Sequence, residues 1–149
     1  PAGTKQTDRL CALIRKAEQT GENQFIKVPR TAKPEILAIG EHVTMHTLRS
    51  CLLADHNISG VEVGCPFGMI QELISEGDIL LTSEKAIKTA VNSGGYKYVI
   101  ADPLIEELLE DPVCFIPLPH VAVSSKIYWD VPPQLAGNKI NEILKGICS

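Results

Sequence analysis

The sequence predicts an α/β domain of the doubly wound, Rossmann-like kind, with a mainly parallel sheet of about four strands. Three observations predict it. Short apolar runs recur along the chain at Glu35–Ile39, Val61–Val63, Tyr98–Ala101 and Val113–Leu118. Segments with apolar residues at helical spacing separate them. Each run stops at a turn or cap signal, namely Gly40-Glu41-His42, Gly64-Cys65-Pro66-Phe67, Asp102-Pro103 and Pro119-His120. Strands that alternate with helices pair in parallel, because the helix carries the chain back to the starting end of the sheet. The expected order of the four strands is 2-1-3-4, with right-handed crossovers.

The elements follow in order. Thr4 to Gly21 reads as a helix, with Thr7 as N-cap and Asp8 in the first turn. Leu10, Leu13, Ile14 and Ala17 share one face, and Gly21 ends the helix. Residues 22–34 have no period and contain Pro29 and Pro34, which predicts an extended linker. Residues 1–34 thus form a helix-and-linker arm ahead of a domain spanning 35–149. After the first strand, residues 43–54 are helical, with Thr44, Leu48, Cys51 and Leu52 on one face. Asn57 to Gly60 make the return turn to the second strand. Met69, Ile70, Leu73 and Ile74 repeat at helical spacing and predict a second crossover helix, stopped by Gly77. Asp78 to Thr82 suit a short extended segment. Ser83 caps a helix through Ala86, Ile87, Ala90 and Val91. A short helix with Leu104, Ile105, Leu108 and Leu109 joins the last two strands. Residues 121–134 carry no clear pattern. A final helix runs from about Pro133 to Lys145, with Leu135, Ile140, Ile143 and Leu144 inward. There is no internal repeat and no low-complexity tract.

Composition narrows the function classes. A chain of 149 residues, 44% hydrophobic and 21% charged, can bury a core and is globular. The net charge of −4, with no dense basic run, argues against nucleic acid as the main partner. No apolar run reaches the roughly 20 residues of a membrane helix, and no segment has the pattern of a secretory signal. The five cysteines are odd in number and none is spaced as CxxC, so neither a disulfide framework nor a zinc ribbon is expected. Reduced thiols in a cytoplasmic protein are expected instead. The chain begins at Pro1 without a methionine, which suits an excised piece of a longer protein and equally a chain whose Met and tag residues are missing.

In doubly wound sheets, ligands meet the carboxyl ends of the strands. Those ends carry Gly40, Glu41, His42, Cys65, Asp102 and His120, the candidate cofactor-binding residues. His120 suits a metal or cofactor ligand or a proton donor, and equally a strand-end residue bonded to backbone. Asp102 suits a polar substrate contact, and equally an N-cap ahead of an N1 proline. Glu41 precedes a helix, where a carboxylate favours the dipole. Cys65 lies in a tight loop near a predicted helix start, where a thiol is activated, or simply fits as a small residue. His42 and His46 share a helix face, but Val43 stands where the helical HExxH zinc motif needs Glu. Lys97 and Lys126 read as solvated. There is no Gly-x-Gly-x-x-Gly, no P-loop and no Gly-x-Ser-x-Gly elbow.

Several segments carry a family resemblance in their order: Ile39-Gly40-Glu41-His42-Val43, Leu48-Arg49-Ser50, Gly77-Asp78-Ile79-x-Leu81, Val99-Ile100-Ala101-Asp102-Pro103-Leu104, and Phe115-Ile116-x-Leu118-Pro119-His120-x-Ala122-Val123-Ser124. They resemble the third, C-terminal domain of nitrogenase component 1-type oxidoreductases, from about Glu35 to Ser125. The N-terminal Pro1-x-Gly3-Thr4-x-x-Thr7-Asp8-x-Leu10 is similar to the helix that enters that domain. The resemblance implies a wall of a cavity for a metallocofactor or tetrapyrrole, with no activity in this chain alone. It implies the remaining domains of a parent protein, an iron–sulfur ATPase reductase and subunit pairing as partners. It places His120 near a histidine that ligates molybdenum in one family member, with a one-residue shift and a different surrounding sequence. The iron–sulfur cysteines of that family belong to a domain outside this chain, so Cys65 does not inherit their role. Two further readings stand beside it: a non-catalytic cofactor- or metabolite-binding module using the same edge, and a small enzyme pairing Cys65 with His120 or His42.

Overall fold

The computed structural model describes residues 5–26, 28, 33–93, 95–120, 123–124, 135 and 140–148. Helix α1 (Lys5–Thr20) comes first. Then follow β1 (Ile36–Ile39), α2 (His42–His56), β2 (Val61–Cys65) and β3 (Ile79–Leu80). Helix α3 (Glu84–Val91), β4 (Tyr98–Ala101), β5 (Cys114–Pro117), α4 (Ile140–Ile143) and α5 (Lys145–Cys148) complete the order. The five strands form one all-parallel sheet in the order β3-β2-β1-β4-β5. This is a Rossmann-like α/β arrangement. The four expected strands take their expected order, and the segment at Asp78–Thr82 adds β3 at one edge.

The period of two divides the core. Ile36, Ala38, Val61, Val63, Ile100 and Ile116 face one way, onto Leu48, Cys51 and Leu52 of α2 and onto Ile140 and Leu144 near the C-terminus. Leu37, Ile39, Val99 and Ala101 face the other way, onto Leu81, Ala90, Val91 and Ile105. The central strands are buried on both faces, as an all-parallel sheet requires. Leu135 and Ile143 pack against the first layer as expected, but Leu135 is not helical, and in place of one helix running to Lys145 the described residues form two short ones, α4 and α5, parted by a turn at Leu144. The expected start of that helix at Pro133 lies outside the described residues, as do Lys126, Ala122 and most of 121–134.

Capping explains several boundaries. Asn57 closes α2 in the left-handed conformation (φ 58°), while its N–H and that of Ile58 bond to Leu53 O and Leu52 O at 3.1 and 3.0 Å. Ser83 Oγ accepts the Ala86 N–H at 3.2 Å and starts α3. At Gly60 a Cβ would sit 2.7 Å from the Lys33 carbonyl oxygen, so the residue before β2 must be glycine for the linker to cross it.

Four further expectations change. Helix α1 already runs at Lys5, so Thr7 lies inside its first turn and is not its N-cap. On its apolar face Leu13 and Ala17 are half-buried while Leu10 and Ile14 are exposed. The connection Pro103–Leu108 is a 3₁₀ helix, with i→i+3 bonds from Ile105 N to Asp102 O and from Leu109 N to Glu106 O. The helix expected over 69–74 is absent; only Gln71–Leu73 form a 3₁₀ turn. Its backbone groups are taken elsewhere, by side chains described below.

Leu48 is fully buried beneath the sheet. Leu48→Ala is expected to destabilise the fold by about 2–5 kcal/mol through lost burial plus a cavity, read as a lower urea midpoint with an unchanged m-value.

Candidate functional site

The carboxyl edge is built from four loops. Gly40 and Glu41 follow β1. A Cβ on Gly40 would meet the Met45 side chain at 3.0 to 3.3 Å, so the glycine lets α2 start close over the strand. Glu41 is the N-cap of α2: Oε1 accepts the Val43 N–H at 2.9 Å, and Oε2 accepts the Thr44 N–H and hydroxyl at 2.8 Å each. Burial alone would raise this carboxyl, but those hydrogen bonds outweigh it and hold it below the ordinary carboxylate value. The anion position at this helix N-terminus is therefore filled by the protein's own carboxylate.

Cys65 ends β2 fully buried, and its thiol donates to Gly68 O at 2.8 Å. That bond goes to backbone, and no imidazole reaches the sulfur among the described residues. His42 is also buried; its Nδ1 accepts the Ile70 N–H at 2.8 Å, so Nε2 carries the proton and has no acceptor among the described residues. His42 and His46 do share a face of α2, yet each is committed to a different partner. No cluster of three or more metal-ligating side chains occurs among the described residues.

Asp102 follows β4 and makes three bonds. Its Oδ1 accepts the Leu104 N–H at 3.1 Å, the expected cap. Its Oδ2 accepts the His120 N–H at 2.9 Å and the hydroxyl of Ser124. The Ser124 N–H in turn donates to His120 O at 2.8 Å. Asp102 thus ties the end of β4 to the loop after β5. The His120 ring stacks on Phe67 from the β2 loop, with centroids 5.1 Å apart and planes 26° apart. Among the candidates, His120 is the half-exposed one with its ring against an exposed aromatic. A cavity of about 550 Å³ lies next to this loop, lined by Pro103, Pro117, Pro119, Glu106 and Glu107. A second cavity of about 570 Å³ lies at the opposite, amino edge, between Glu35, Gly60 and Lys97. Lys97 is exposed as expected, and its ammonium pairs with Glu35 at 2.7 Å.

The sequence reading did not identify a buried polar network on α2. Arg49 Nη1 lies 2.5 Å from Asp78 Oδ1, with both side chains sealed from solvent. Arg49 Nη2 donates to His46 Nδ1 at 3.0 Å and to Leu73 O at 3.4 Å. His46 Nε2 donates to Ile26 O at 2.6 Å. Asp78 also accepts the N–H groups of Val63 at 3.2 Å and Ser75 at 2.9 Å. Ser75 Oγ donates to Val28 O at 2.8 Å. This network and His42 take up the backbone groups of Ile70, Leu73 and Ser75, which is why residues 69–74 do not form a helix. The signal was the polar stripe His42, His46, Arg49 at helical spacing on an otherwise apolar helix.

Two tests follow from this geometry. Arg49→Met leaves Asp78 buried and uncompensated, with an expected cost of about 3–5 kcal/mol in chemical unfolding. Adding Asp78→Leu should recover only part, because the Val63 and Ser75 N–H groups then lose their acceptor. Burial, then the neighbouring Arg49 charge, lowers the His46 value below its ordinary 6.5. The unfolded chain therefore takes up the proton first, and stability falls as pH drops below about 6.5 towards the folded value. In His46→Gln the decline in urea midpoint between neutral pH and pH 5 should be shallower than in the parent; equal slopes would refute the assignment.

No protein-family model matches the chain, and neither a curated protein nor a solved structure matches it significantly.

Proposed function

We propose that this chain is the α/β wall of a nitrogenase component 1-type oxidoreductase. It presents His120 and Phe67 to a metallocofactor or tetrapyrrole held jointly with the other domains of a parent protein. The observation that carries this reading is the Asp102 clamp on the His120 loop. Two of the ordered segments that prompted the resemblance meet there, and a second pair meets at Arg49–Asp78. The residues suit a wall and not a cage: one half-exposed imidazole on a fixed loop can contribute a single ligand, whereas Cys65 and His42 are sealed. When bound, the cofactor would supply the redox chemistry. The chain's own part is to fix the backbone of the His120 loop through Asp102 and to shield one face of the ring with Phe67. Electrons would come from an iron–sulfur ATPase partner.

The test uses the whole reading frame that contains this chain, purified without oxygen. It should contain iron and acid-labile sulfide and accept electrons from an iron–sulfur ATPase with MgATP. His120→Ala and Asp102→Asn should each lower turnover about 10- to 100-fold with iron content unchanged. A protein without iron, or turnover indifferent to both variants, would overturn the reading.

A further inference from the structure

Beyond Gln24, two hydrogen bonds tie the linker to the domain among the described residues. His46 Nε2 donates to Ile26 O at 2.6 Å, and Ser75 Oγ donates to Val28 O at 2.8 Å. Val28 itself is buried, at 2% exposure. Ile26 and Val28 thus form a strap across α2 and the β2–β3 connection. Beneath it His46 is only 5% exposed.

The partners of His46 fix its tautomer. A carbonyl oxygen only accepts, so Nε2 carries the proton. A guanidinium only donates and keeps its charge, so Nδ1, 3.0 Å from Arg49 Nη2, is the bare acceptor. A second proton has only Nδ1 to occupy. It would set donor against donor and one cation beside another. The guanidinium is not free to withdraw, because Asp78 pairs with it at 2.5 Å and Leu73 O also accepts from it. Burial opposes the imidazolium first and the Arg49 charge second. The Ile26 carbonyl favours it, His42 on the same face of α2 opposes it, and Asp78 favours it. The balance keeps the ring neutral below its ordinary 6.5.

We propose that His46 is a proton-operated latch on the strap at Ile26 and Val28. Neutral, it closes the strap over the buried Arg49–Asp78 pair. Protonated, it reaches water only where the strap lifts, because its own helix and the ion pair are fixed. Lifting also gives up the Ser75–Val28 bond. The β2–β3 connection, which carries Phe67 against the His120 ring, loses one of its ties in the same step. The open form takes up the proton at the ordinary value and the closed form only below it. Opening therefore rises as pH falls below about 6.5, by at most about tenfold per pH unit, and levels off at the closed-form value.

The test is thiol labelling of the chain carrying Val28→Cys. The reagent is a dipyridyl disulfide, which reacts at acid pH, and the modified sites are mapped by mass spectrometry. The exposed Cys114 serves as the internal rate standard, and the fully buried Cys51 and Cys65 report global unfolding. The ratio of labelling at position 28 to that at Cys114 should rise at least about threefold from about pH 7.5 to about pH 5. Adding His46→Gln should make the ratio flat, because the amide can serve the same two partners but takes up no proton. Adding Ser75→Ala instead removes an uncharged strap bond. It should raise the ratio about 2- to 10-fold at every pH and keep the slope. A flat ratio with His46 in place, an unchanged slope in His46→Gln, a slope lost in Ser75→Ala, or labelling of Cys51 and Cys65 in step with position 28 would overturn the proposal. Should a variant fail to fold, NMR of the unsubstituted chain decides. The backbone resonances of Ile26 and Val28 should then titrate with the midpoint of the His46 ring, and a different midpoint would overturn the latch.

Discussion

The Arg49–Asp78 ion pair is the constraint on which one half of the molecule depends. A buried pair is retained at low cost only when its remaining donors and acceptors are satisfied. Here nearly all are: Asp78 takes two backbone N–H groups besides the guanidinium, and Arg49 reaches His46 and Leu73 as well. The backbone bonds explain its placement. Strand β3 is only two residues long and pairs with Gly64 and Cys65, so it does not cover the N–H of Val63. The Asp78 carboxylate fills that gap, and Arg49 neutralises it. The pair therefore finishes the edge of a sheet that a longer strand would otherwise finish. The Arg49 Nε–H, which has no acceptor among the described residues, marks where this solution is incomplete.

Asp102 plays the corresponding part at the other end of the sheet. Both aspartates stand where a strand meets a loop, and both spend one oxygen locally and one at long range. Asp102 reaches 18 residues to His120, and Asp78 reaches 29 residues to Arg49. The site's polarity follows from this economy. Glu41 fills the α2 N-terminus, Asp102 is committed to N–H and O–H donors, and His42 and Cys65 are bonded to backbone. What the carboxyl edge shows to solvent is an imidazole, an aromatic ring and apolar surface, with the carboxylates of Glu106 and Glu107 beside the His120 loop. A phosphate-binding edge would need free N–H groups at that helix start, and here Glu41 accepts them.

Much of the fold was legible in the sequence because the apolar periods are local. The central strands, α2 and α3 were bounded by Gly40, Asn57, Ser83 and Asp102, whose capping chemistry acts within a few residues. The failures are non-local. Met69, Ile70, Leu73 and Ile74 have helical spacing, but His42, Arg49 and Asp78 claim the intervening backbone. No window of sequence contains all of them. The site divides in the same way. The cap made by Asp102 was visible in Asp-Pro, whereas its grip on His120 and Ser124 needed the fold. The burial of Cys65 could have been read from its place two residues after Val63 and four after Val61, on the face that packs against α2.

The exposed apolar residues follow from how the loops are held. Apolar side chains in a loop normally turn inward if the backbone is free to let them. The connection bearing Phe67, Ile70 and Ile74 has no such freedom, because Gly68 O, the Ile70 N–H, Leu73 O and the Ser75 N–H are each fixed by a buried side chain. Polar bonds to the backbone thus hold the loop in one conformation and leave its apolar side chains outward. That cost is recovered only if something else buries them. Phe67, which stacks on the His120 ring, belongs to this same connection. The aromatic wall of the candidate site therefore stands on a loop whose position Arg49 and Asp78 help to set.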